Sequence, residues 1–192
     1  MKLRATNQFR APAEAVSQML ISPDYQKLLG QHLNAVECSA VAAADSITVT
    51  YILPTLEDYR IYAGPELKLT GCLRWTTPLA NGRRDGWLRQ TAEHFPSLTE
   101  GPVRLRSRKG LTLVKYDLTM TVRIPFLSSQ LAKSLEEAGQ PMLMLGERLG
   151  AAWLASHAGE GATPALASAR QTDCPAEANC HLDAPTAPSP LP

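Results

Sequence analysis

The segment TLVKYDLTMTVRI, residues 112–124, reads with a period of two. Thr112, Val114, Tyr116, Leu118, Met120, Val122 and Ile124 fall on one side of the repeat. Leu113, Lys115, Asp117, Thr119, Thr121 and Arg123 fall on the other. Successive side chains of a strand leave opposite faces of a sheet, so this pattern predicts a half-buried antiparallel strand. Directly after Pro125 the period changes. Leu131, Leu135, Ala138, Met142, Leu145, Leu149 and Trp153 recur at spacings of four and three, the stripe of an amphipathic helix. A helix from about Ser128 to His157 would be roughly 45 Å long, enough to need a broad sheet beneath it. Gly139 and Pro141 interrupt it, which predicts a kink or short break with the stripe still in phase.

Working back toward the N-terminus, Leu3, Ala5, Asn7 and Phe9 alternate with charged and polar neighbours and predict a first strand. Pro12 then opens a helix that buries Val16, Met19 and Leu20, since a proline in the first turn gives up no hydrogen bond. Ser22-Pro23-Asp24 starts a second short helix with Tyr25, Leu28 and Leu29 inward. Strands follow at 36–43, 47–53, 67–75, about 86–95 and around Val103 and Leu105, before Lys109-Gly110 turns into the long strand. Asn81-Gly82 marks another tight turn. The order is one strand, two short helices, six strands and one long helix. It predicts an α+β fold in which an antiparallel sheet of six or seven strands meets a single long helix. A curved sheet wrapped round one helix, closed at an end by the two short helices, leaves a cupped cavity.

Composition narrows the function. Lys and Arg number 19 against 18 Asp and Glu, so no global field favours nucleic acid. No run approaches the ~18 apolar residues of a membrane span, and the N-terminus lacks a signal peptide's apolar core, so residence is expected to be cytoplasmic without stable membrane insertion. The four cysteines make no CxxC pair, and no zinc or thiol-redox site is expected. Cys174, Cys180 and His181 lie in a segment too rich in proline to make a metal site. Residues 158–192 hold no aromatic residue and six of the 15 prolines, and are expected to be a disordered tail on a domain spanning residues 1–157.

Phe9-Arg10-Ala11-Pro12-Ala13-Glu14-Ala15-Val16, Met19-Leu20 and Ser22-Pro23-Asp24-Tyr25 resemble the entry segment of the START/polyketide-cyclase superfamily. Val122-Arg123-Ile124-Pro125-Phe126-Leu127, with Leu131, Lys133 and Leu135, is similar to that superfamily's strand exit into its gripping helix. The resemblance covers about residues 1–157 and points to an uncharacterised bacterial branch. It implies a helix-grip fold and a hydrophobic cavity for lipids, polyketides, hormones or other apolar molecules, with only some members catalytic. Ser128-Ser129 departs from the glycine often found there.

Tyr51, Trp75, Tyr116 and Met120 point inward by alternation, and Ala138, Met142 and Leu145 lie on the helix stripe. These seven are the candidate cavity lining, although plain core packing predicts the same pattern. Asn7, Gln90 and His94 are polar residues able to present a hydrogen bond inside the cup, with Trp87, Thr91 and Phe95 competing for the inner face. Glu57, Asp58, Tyr59 and Arg60 form a charged loop. Arg104, Arg106, Arg108 and Lys109, with Arg83, Arg84 and Arg89, make the one basic concentration, and alternation puts the arginines on the outer face. No GxGxxG, Walker A, GxSxG or HExxH motif occurs. The expected function is non-catalytic binding, transport or sensing of an apolar or amphipathic small molecule or lipid, without a cofactor. The alternatives are a cyclase, dehydratase or hydrolase using the same pocket, and a protein-interaction module like the chaperone-cofactor relatives of the fold.

Overall fold

Period-two alternation over 112–124 forms the strand β7 (Leu111–Val122), in which Thr112, Val114, Tyr116 and Leu118 are all buried. The computed structural model describes residues 1–55, 57, 60–79, 83–123 and 129–157, with the backbone alone at 62–63 and 129–140. Ile124 and the Asn81-Gly82 turn lie outside the described residues. All but the residues beyond 160 fall in one compact unit, Met1–Glu160. The tail expected at 158–192 also lies outside the described residues.

The other strands are β1 (Lys2–Phe9), β2 (Glu37–Ala43), β3 (Ser46–Pro54), β4 (Glu66–Trp75), β5 (Arg84–Ala92) and β6 (Ser97–Arg108). They form a seven-stranded sheet in the order β1-β7-β6-β5-β4-β3-β2, antiparallel at every pairing. Five pairings join consecutive strands, and β1 adds itself to β7 with Lys2 opposite Thr119 and Phe9 opposite Thr112. Lys109 and Gly110, at φ 49° and 79°, make the β6–β7 turn, where the left-handed backbone suits a glycine. β6 is longer than the sequence suggests. Gly101-Pro102 hides its first half, because proline donates no ladder bond and glycine breaks the apolar alternation.

The helices are α1 (Ala13–Leu20), α2 (Pro23–His32), the short α3 (Arg60–Ala63) and α4 (Ser129–His157). Pro12 and Pro23 stand at the starts of the first two, where a missing N–H is harmless. Asn34, with φ 56°, ends the turn after α2, and the Ala35 N–H returns to the Gly30 carbonyl at 2.9 Å. Of the expected kink or short break, the break does not occur: α4 continues through Pro141 as one helix. Its last turns bury Leu149 and place Gly150 where a Cβ would come within 2.7 Å of the Phe9 ring and 2.9 Å of Met19 Cε. Glycine there lets α4 approach β1 and α1 closely.

One basic residue departs from expectation. Arg84 is not on the outer face; it is 4% exposed and points inward at the end of β5. Its guanidinium pairs with Asp45, donates to Ser17 Oγ at 3.2 Å and to the Thr76 carbonyl at 3.0 Å, fastening the β2–β3 turn to α1. Arg106 instead pairs with Asp85 at 2.6 Å.

Candidate functional site

Inward positions of five consecutive strands converge on one cavity of about 310 Å³. β3 contributes Ile47, Val49 and Tyr51, and β4 contributes Leu67, Leu69, Gly71 and Leu73. Leu88 and Gln90 follow from β5, Thr99 from β6, and Tyr116, Leu118 and Met120 from β7. Leu3 and Asn7 of β1, Leu20 of α1, and Tyr25, Gln26 and Leu29 of α2 add the side and end walls, and Met142, Leu143 and Gly146 of α4 face the sheet. Two small residues help keep the space open. A Cβ on Gly71 would find its nearest atoms 3.9 Å away, and Gly146 brings helix backbone to the Tyr25 hydroxyl. The volume is at the lower end of the ~300–1,000 Å³ of small-molecule sites.

Several polar groups in this wall are spent on hydrogen bonds within the protein. Asn7 Nδ2 donates to the Leu143 carbonyl at 3.0 Å, and the Tyr25 hydroxyl donates to the Gly146 carbonyl at 2.9 Å. Both bonds tie the side wall to α4. The Tyr51 hydroxyl donates to Gln26 Oε1 at 2.7 Å, while Gln26 Nε2 donates to the Leu20 carbonyl at 2.8 Å. Burial disfavours the phenolate and pushes the hydroxyls of Tyr25, Tyr51 and Tyr116 well above the ordinary tyrosine range. They remain neutral O–H groups. No Asp, Glu, His, Lys or Arg occurs among the described residues that line the cavity.

Of the seven candidates, Tyr51, Tyr116, Met120 and Met142 line the cavity together. Trp75 is buried outside it, with its ring over Gly86, where a Cβ would stand 2.6 Å from Cε3. Leu145 is partly buried against the core outside the lining, and the side chain of Ala138 lies outside the described residues. Asn7 and Gln90 are in the lining, whereas His94 is not: past the end of β5, at φ 60°, its side chain is 82% exposed beside Glu93. In β5 the even positions face in, so Leu88 and Gln90 are inside and Trp87 is exposed. Thr91 and Phe95 also reach the cavity. Gln26 and Thr99 went unmarked in the sequence; Gln26 sits one residue from Tyr25 on the inward face of α2, and that adjacency was the available signal. Of the charged loop, Glu57 and Arg60 form an exposed pair at 3.1 Å, and Asp58 and Tyr59 lie outside the described residues.

Among the described residues no group of His, Cys, Asp and Glu is placed to hold a metal, and no helix is long and apolar enough to cross a membrane. No curated protein matches the chain. Several solved structures share its fold. A protein of Thermus thermophilus is 18% identical, covering 80% of this chain and 99% of its own, with a TM-score of 0.56. A STAR-related lipid transfer protein of Xanthomonas axonopodis is 11% identical, with 77% and 84% covered and a TM-score of 0.55. A conserved protein of Geobacillus kaustophilus is 10% identical, with 82% and 97% covered and a TM-score of 0.53. At these identities the likeness is one of fold, and the fold is START-like. The family model described as "Protein of unknown function (DUF2505)" matches residues 4–154, and with that span of agreement the chain belongs to the DUF2505 family.

Proposed function

We propose that this protein binds an apolar or amphipathic small molecule or lipid in the cavity, held between the sheet and the long helix it grips. The observation that carries this reading is the 310 Å³ space itself, walled by leucine, valine, isoleucine and methionine side chains rather than filled by them. Protein interiors ordinarily pack to the density of organic crystals, so a void of this size is a feature that folding alone does not require. Acid–base catalysis is less well supported, because the described lining offers no carboxylate or imidazole and its tyrosines are held protonated. Transport or sensing are the roles such binding serves.

Native mass spectrometry of the protein purified from its own host tests the reading. A bound mass of lipid or small-molecule size, removed by organic extraction, is the expected result. A clean unliganded mass that takes up no apolar fluorescent probe would sink it. A stable complex with another protein in place of a small molecule would favour the interaction-module alternative.

A further inference from the structure

The cavity contains three phenol groups, and two of them are committed. The Tyr25 hydroxyl donates to the Gly146 carbonyl and the Tyr51 hydroxyl to Oε1 of Gln26, whose amide nitrogen donates in turn to the Leu20 carbonyl. Tyr116 is different. It is 9% exposed, it lines the cavity, and its hydroxyl has no hydrogen-bond partner among the described residues. That hydroxyl opens onto the cavity with its donor unspent on protein, so a ligand oxygen lying against it would accept the bond that water otherwise takes. We propose, building on the binding reading above, that Tyr116 anchors the polar group of an uncharged amphipathic ligand, and that this group is an oxygen acceptor such as a ketone or ester carbonyl.

The direction of the bond follows from chemistry. A tyrosine kept protonated by burial donates to a carbonyl and does not require the partner to carry a proton. The neutrality of the ligand follows from the walls. The described lining holds no ammonium or guanidinium, so a carboxylate would be taken from water into apolar surroundings without a counter-charge. The apolar part of the ligand would lie along Leu69, Leu73, Leu88 and Met120.

Displacement of the neutral dye Nile red tests this with three competitors of equal chain length: a methyl ketone, an alkane and a fatty-acid anion. The ketone should displace best, and the anion should bind at least tenfold more weakly than the ketone at a pH well above the ordinary carboxylic acid range. In Tyr116→Phe, ketone affinity should fall roughly three- to tenfold, the worth of one neutral hydrogen bond, and alkane affinity should hold. Equal binding of anion and ketone to the wild type would overturn the selectivity while leaving the binding reading intact. An unchanged ketone affinity in Tyr116→Phe would overturn the anchor in the same way. Failure of wild-type protein to take up Nile red or any competitor would instead remove the binding reading and this inference together. Tyr116→Phe loses no described hydrogen bond, so its melting temperature should match or exceed that of the wild type. If it fails to fold, the ketone-against-anion comparison in the wild type still decides the selectivity.

Discussion

The side-chain amide of Asn7 donates to the carbonyl of Leu143 across 3.0 Å, joining β1 to α4 inside the protein. Asn7 is 3% exposed, so nothing from solvent replaces the bond when it is lost. Asn7→Ala should destabilise by about 1–2 kcal/mol in urea unfolding. Asn7→Asp should be worse at neutral pH, because a carboxylate cannot donate to a carbonyl and burial opposes its charge. That raises its folded-state pKa above the ordinary ~4, so stability is regained as pH falls and lost as pH rises. Equal stability of the two variants across pH would show that the bond is not formed.

Arg84 offers a second test. Its guanidinium is buried while its partner Asp45 is half exposed, so removing it strands hydrogen-bond acceptors without leaving a buried charge. Arg84→Ala should cost about 2–3 kcal/mol. A melting temperature within about 1 °C of wild type would show that water substitutes for the guanidinium.

Two glycines should respond in opposite ways. Gly150→Ala should destabilise by about 1–3 kcal/mol, in spite of alanine's better helix propensity, because Phe9 and Met19 occupy the space a methyl needs. Gly71→Val, on a strand where a Cβ would meet its neighbours only at ordinary contact distances of 3.9 Å or more, should stabilise by about 0.5–1 kcal/mol. Thermal melts of the pair measure both; a gain at Gly150 or a loss at Gly71 would contradict the packing described.

Bulk added inside the cup separates a binding cavity from a packed core. Met142→Trp should keep its stability and lose uptake of an apolar fluorescent probe. In a filled interior the same change would overpack and cost about 1–3 kcal/mol. Destabilisation in a protein whose wild type also refuses the probe is the outcome that defeats the cavity.

The three tyrosines predict an alkaline limit. Their folded-state pKa values are raised, so their contribution is fully present below the unfolded value of ~10 and is lost as pH rises beyond it. Each should add about 1.4 kcal/mol of lost stability per pH unit above ~10. Urea unfolding across that range should show a steep decline, made shallower by Tyr51→Phe. A flat profile would mean that the phenols ionise freely.

Alternation made the sheet legible. A strand with one buried face writes its orientation into every second residue, which is why Tyr116, Met120 and Tyr51 could be placed before any coordinates. The same rule fails where the apolar code is mixed. Around Trp87–Phe95 large and polar residues share both faces, and only pairing with β4 and β6 settles that Gln90 faces in. Arg84 reads as an outer-face residue because a charge normally marks the solvent side, whereas its burial depends on Asp45 and Ser17, which are far away in sequence. Trp75 carried the right alternation but sits beyond the cavity wall. Periodicity tells which face a side chain leaves, not whether space or packing awaits it there.

The pairing of β1 with β7 sets a condition on when the fold can be completed. Lys2 meets Thr119 across 117 positions of chain, whereas each of the other pairings joins strands that are neighbours in sequence. During synthesis the first strand emerges early and waits with its edge unsatisfied until residues near 120 leave the ribosome. Loop closure over such a distance is slow compared with hairpin formation. The β2–β7 meander can therefore assemble as a partial sheet before β1 arrives, and an unpaired edge on β7 is where a nascent or refolding chain would be most prone to associate with another.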